Sequence, residues 1–255
     1  MIVREQENAF IMIKQHDHAR ISGEIVSNWK NNFLLRSKLR EEADWAVFEH
    51  DRAWIPLDDH PVWDGENNRP YSFIDYPLEK KLAAYQRGIE EVAAHSLYAG
   101  MLCSMHYQSF FSEEADDIRI RQFIKEEKER QETLFAQMET DVPMDIYQLH
   151  FKRLQFCDDL SLYVCMQEPG ITKSEEVPWF KDGFRQSFDF SPEGMMAHWK
   201  DENHVTVDPF PFQSAFDVLI PYRLVQKDLI NDVGIERAYQ ETEVKHYRIS
   251  FIPES

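Results

Sequence analysis

The chain has 255 residues, 43% hydrophobic and 13% aromatic, which suits one large domain or a domain with a small appendage. Its 46 Asp and Glu against 28 Lys and Arg give a formal charge of −18, and such a surface repels phosphate backbones and argues against general nucleic-acid binding. Eight glycines, with no GxGxxG and no GxxxxGK(S/T), exclude Rossmann and P-loop readings, and the odd set Cys103, Cys157 and Cys165 without CxxC argues against a disulfide frame or a structural zinc site.

The N-terminal residues Met1 to Glu7 contain no signal-peptide hydrophobic region, and no run of about 18 apolar residues occurs. The expectation is a cytoplasmic protein with no membrane span. Residues 1–14 predict a strand pair, Met1-Ile2-Val3 and Ala9 to Ile13, around a polar turn from Glu5 to Asn8. Residues 16–37 predict a helix with Ile21, Ile25, Trp29 and Phe33 at four-residue steps. Residues 41–50 predict a second, with Ala43, Ala46, Val47 and His50 along one face. Residues 52–80, rich in Trp, Pro, Tyr and Phe, show no period and read as an irregular cover or a substrate lid. Residues 78–110 predict one long helix, or two broken near Gly88. Residues 113–139 predict a charged, solvated helix, and 144–166 another helix. Pro, Gly and aromatics punctuate 168–215, after which 215–225 and 247–252 predict strands of a small antiparallel sheet.

The chemistry concentrates in His and Asp. The adjacent pair His50-Asp51 ends the apolar run Trp45 to Phe48, where an imidazole nitrogen and a carboxylate oxygen can share one metal ion. Neighbours on a regular helix diverge by about 100°, so the helix must end or distort there. His18 lies one turn before Ile21 on the core side of its helix, which favours it over His16 as a further ligand. Asp17 then serves as an N-cap or orients it. His95 and His106 are about 16 Å apart along a helix and cannot serve one cluster; His106, behind Met101 to Met105, is preferred. Asp158 sits beside Leu154, Cys157, Ser161 and Cys165, where an unpaired carboxylate is costly; Asp159 is the alternate. Glu127, Glu129 and Arg130 are weighed as phosphate contacts against a solvated face.

The order His18, His50-Asp51, Asp158 resembles the HD-domain superfamily of metal-dependent phosphohydrolases. Phe48-Glu49-His50-Asp51 looks like its apolar run followed by the HD pair, and Cys157-Asp158-Asp159-Leu160-Ser161 like its final Asp helix. The resemblance covers about residues 15–166, and the whole chain is similar to an uncharacterised bacterial family of this type. Arg52-Ala53-Trp54 departs from the Ile-Gly-Lys common after the pair. The resemblance implies a mainly α fold: an HD-domain-like helical bundle over 1–170, with 171–255 as a loop and β extension packed on it. The small antiparallel sheet would come from the C-terminal region and the N-terminal strands. It also implies one or two divalent metal ions (Mn, Fe, Zn, Ni or Mg) on His18, His50, Asp51, His106 and Asp158. Asp51 would orient the attacking water, and His106 would hold a second ion or a substrate phosphate. The expected function is a hydrolase acting on a small phosphorylated molecule, alone or as an oligomer. An HD-type di-iron oxygenase and a non-enzymatic ligand-binding protein are the alternatives.

Overall fold

The computed structural model of the protein describes residues 1–30, 39–138 and 142–254. It opens on a hairpin, β1 (Ile2–Glu5) and β2 (Ala9–Ile13), paired from Ile2 opposite Ile13 to Glu5 opposite Phe10. Helices α1 (Gln15–Ser27) and α2 (Arg40–Glu49) follow, then a 3-10 turn at Arg52–Trp54 and the short α3 (Ile55–Asp58). A two-stranded ribbon, β3 (Trp63–Asp64) with β4 (Arg69–Pro70), lies within the aromatic segment. The helical body continues with α4 (Leu78–Ala93), α5 (Leu97–Gln108), α6 (Ile118–Gln137) and α7 (Met144–Met166). The last third holds β5 (Met196–Asp201), β6 (His204–Asp208), β7 (Phe216–Gln226), α8 (Lys227–Val233), α9 (Ile235–Glu241) and β8 (Val244–Pro253).

These elements correct the expected fold class. The protein is about 49% helical and 20% strand, with a large curled sheet, not a mainly α HD bundle carrying a small one. The sheet has six strands in the order β1-β2-β7-β8-β6-β5 and is mixed, because β6 pairs with β8 in parallel. Two causes enlarged it. The short strands β5 and β6 alternate half-buried polar with apolar residues inside a stretch that reads as punctuated loop. The 11-residue β7 is long enough to pair with the 10-residue β8 from Phe216 to Arg223 and with β2 from Arg223 to Gln226.

Helices cover both faces of the sheet near the hairpin. Ile11 and Ile13 of β2 point into the main core with Ile21, Ile25 and Trp29. The alternate residues Phe10 and Met12 join Val225, Ile230, Ala238 and Tyr239 in a second cluster under α8 and α9. The period-two alternation of a strand therefore buries all five residues of β2.

Several bounds differ from expectation for local reasons. The helix break falls at 94–96 rather than at Gly88, because Ser96 Oγ accepts a hydrogen bond from Ala99 N at 3.1 Å and caps α5. Gly88 stays inside α4, pressed on the turn that follows Asp51; a Cβ there would lie 2.6 Å from Ala53 Cβ. Helix α1 ends at Ser27, and residues 31–37 of the expected 16–37 helix lie outside the described residues, as does 139 at the end of the charged helix. All three cysteines are free and buried. No described helix is long and apolar enough to cross a membrane.

Candidate metal centre

Five of the predicted side chains meet in one buried place. His18 comes from α1, His50 and Asp51 from the end of α2, His106 from the last turn of α5 and Asp158 from the middle of α7. Helix α2 stops at Glu49, and Asp51 has left helical geometry at φ −108°, ψ 23°, which lets adjacent side chains turn toward one site. His18, His50 and His106 are fully buried, Asp51 is 3% exposed and Asp158 is 4% exposed. Their ligand atoms form two groups, His18–His50–Asp51 and His50–His106–Asp158, each within 4.8 Å. His18 Nε2 lies 2.8 Å from Asp51 Oδ2, and His50 Nε2 lies 3.3 Å from Asp158 Oδ1. The other oxygen of Asp158 faces His106 Nε2 at 3.6 Å.

The surrounding hydrogen bonds decide which nitrogens are free. His50 Nδ1 donates to the Val47 carbonyl at 2.8 Å, so the neutral ring presents a bare Nε2 to the cluster. Ser22 Oγ donates to Ser161 Oγ at 2.8 Å, and Ser161 Oγ donates to the Asp158 carbonyl at 2.9 Å. Ser161 can then accept from His18 Nδ1, 2.7 Å away, a tautomer assigned by the network. Its Nε2 lone pair faces a carboxylate oxygen, an arrangement that repels unless a proton or a metal ion lies between them. Gln15 Nε2 donates to Asp51 Oδ2 at 2.9 Å and orients that carboxylate. His50 Nε2 and both nitrogens of His106 are buried without a hydrogen-bond partner. Each such atom costs about 1–3 kcal/mol. Bare imidazole nitrogens converging with two carboxylates fit a divalent ion, and His18, His50 and Asp51 carry the outer hydrogen bonds that such sites use.

Two carboxylates among the histidines favour a positive charge at the centre, either a proton on His50 or a bound divalent ion that replaces it. Burial opposes the charged form of His50, but Asp51 and Asp158 outweigh it and raise the imidazole to about 9. Burial likewise opposes ionisation of Asp51 and Asp158, yet the histidines hold both below the ordinary carboxylate range. Burial drives His106 down to about 4, so it is neutral and able to ligate at physiological pH.

The alternates fall elsewhere. His16 is half-buried and outside both groups. Asp159 turns to Gln186 Nε2 at 2.7 Å and Arg185 Nε at 3.3 Å. His95 lies exposed against Trp45, ring centroids 4.4 Å apart, and His60 is exposed beside Glu236. Glu127 is buried on Ser104 and Arg130, away from the cluster. Sequence reasoning missed Arg185 and Lys81, because nothing in the punctuated stretch or on the outer turn of α4 marks them. Both line a pocket of 790 Å³ whose floor includes Asp51 and Asp158. Its walls are aromatic: Trp54 and Phe73 from the segment after the His-Asp pair, Tyr85, Phe110, and Trp179 with Phe184 from 177–185. Phe73 and Trp179 meet edge to face at 6.4 Å.

Comparison with protein families matches residues 1–227 to the family described as protein of unknown function, DUF3891. No curated protein and no solved structure matches the chain.

Proposed function

We propose that this chain, which belongs to the DUF3891 family, is a metal-dependent hydrolase that cleaves a small phosphorylated molecule with an activated water. One observation carries the reading: the unpartnered imidazole nitrogens of His50 and His106 converge with Asp51 and Asp158 on the floor of an aromatic pocket. From the HD-domain resemblance the reading takes the ligand order alone, since the six-stranded mixed sheet is not that fold.

His18, His50, Asp51 and Asp158 would hold a divalent ion, with His106 and the second oxygen of Asp158 beside it. A divalent ion supplies Lewis acidity toward a phosphoryl oxygen and a water acidic enough to deprotonate near neutral pH. Asp51, oriented by Gln15, accepts a hydrogen bond from the attacking water. His106, neutral and fully buried, packs behind the pocket wall against Phe110 at 4.7 Å between ring centroids. Arg185, half-released to solvent beside Asp159, supplies positive charge to phosphoryl oxygens. The walls exclude water from the apolar remainder of the substrate.

The test is phosphate release from a panel of phosphomonoesters. Chelation should abolish turnover and a divalent ion should restore it, while His50→Ala/Asp51→Ala should lose at least about 100-fold. Wild-type turnover in that double variant would contradict the reading. A second reading, a di-iron oxygenase, draws on Asp158, whose two oxygens face two different histidines, His50 and His106. Oxygen consumption by the iron-loaded protein, without phosphate release, separates the two.

A further inference from the structure

Lys81 has no role in the site above, and its surroundings are unusual for a lysine. It stands on the first turn of α4 and lines the pocket. Its Nζ donates to the carbonyls of Phe73 and Ile74, each at 3.1 Å. Among the described residues it forms no ion pair. The nearest acidic neighbour, Asp75, is already engaged with Arg69 Nη2 at 2.6 Å and with Ser72. Two carbonyls leave one of the three ammonium protons uncommitted. Burial pushes Lys81 below its ordinary pKa and Asp75 pushes back, so the charge is held in a partly dry wall without a counter-ion.

The pocket is therefore polar at two ends. The metal-ligating carboxylates lie buried at its floor. Lys81 is strapped to Ile74, which is 53% exposed, and Trp179 is 54% exposed across the mouth. The surface between is aromatic. A compound that satisfied all three regions would be a flat apolar body with an anion at each end.

We propose that the pocket selects an aryl compound bearing two anionic groups, the phosphoryl group at the metal floor and a second anion, carboxylate or phosphate, bound by Lys81 at the mouth. The phosphoryl end rests on the hydrolase reading; the second anion rests on Lys81. Lys81 is thus a specificity-determining residue and makes no contribution to bond cleavage. Arg185, the other cation of the lining, is paired with Asp159 and serves the phosphoryl end, so on an acidic surface Lys81 is left to offset the repulsion of a second anion.

The experiment titrates the full chain, loaded with metal, with benzylphosphonate and para-carboxybenzylphosphonate, which cannot be hydrolysed at the carbon–phosphorus bond. Quenching of tryptophan fluorescence reports binding, since Trp54 and Trp179 line the pocket. The wild type should bind the carboxylated probe about tenfold more tightly, the effect of one charge-assisted hydrogen bond. Lys81→Met should erase that preference and leave benzylphosphonate affinity within about twofold, while Lys81→Arg should keep most of the preference. Equal affinities in the wild type, no binding of either probe, or a preference that survives Lys81→Met would overturn the proposal. Equal weakening of both probes by Lys81→Met would reduce Lys81 to a strap for the 73–74 backbone and overturn it too. The hydrolase reading fails by a different result: benzylphosphonate affinity that chelation does not change.

Discussion

Ser161 illustrates how much of the site depends on residues outside the His/Asp cluster itself. Its hydroxyl accepts a hydrogen bond from His18 Nδ1 and donates one to the Asp158 carbonyl, so one side chain orients a candidate ligand and is anchored beside another. Ser161→Ala should lower metal affinity about 10- to 100-fold with little change in fold, as loss of such outer partners does; unchanged affinity in a competition with a chelator would refute this role. His150 tests a separate account, of acid sensitivity. It accepts a hydrogen bond from Tyr98 at Nδ1, 2.8 Å away, and burial, aided by Arg40, lowers it to about 4 from its ordinary 6.5. The unfolded chain therefore takes up a proton that the folded chain refuses. Stability should fall as pH drops from about 6.5 to about 4, then level off, for a total on the order of 3 kcal/mol from this group. His150→Gln should flatten that part of the urea-midpoint profile; an identical slope would show that other groups set it.

At the scale of elements, the site exists because α2 stops where it does and because α4 can press on the turn that follows. Gly88 permits that approach, with Ala53 backbone atoms 2.7 Å from where a Cβ would stand. Helix propensity alone would make Gly88→Ala stabilising by up to about 1 kcal/mol. Overpacking against backbone costs about 1–3 kcal/mol and should win, lowering the melting temperature and loosening the metal site. A stabilised Gly88→Ala variant would mean that the turn yields easily. The same contact explains why the break near Gly88 could not be read correctly: a glycine inside a helical pattern looks like a breaker until its packing partner is known. Helices α2 and α7, by contrast, run close to the expected bounds: α2 keeps Ala43, Ala46 and Val47 on the core, and α7 is buried on nearly every side from Phe156 to Cys165. The strands β5 and β6 were missed because the alternation is broken in β5 and only five residues long in β6, too short to stand out inside a stretch punctuated by turns.

In the whole molecule, the buried His/Asp cluster was more legible than the fold around it. His18, His50-Asp51, His106 and Asp158 could be picked one element at a time, since a buried His or Asp on an apolar helix face is conspicuous. The sheet could not, because its order depends on a hairpin at residues 2–13 finding β7 more than 200 residues later. Nor could the pocket, whose wall joins residues near 73 to residues near 179 by tertiary packing alone. The assembly of a metal centre from four separate helices is the central claim. It is tested most directly by elemental analysis of the untagged protein purified without added metal, wild type beside His50→Ala/Asp51→Ala. The account predicts near-stoichiometric Mn, Fe, Zn or Ni in the wild type and its loss in the folded double variant. A wild type that holds no divalent metal even after reconstitution, or a double variant that keeps it, would contradict the account.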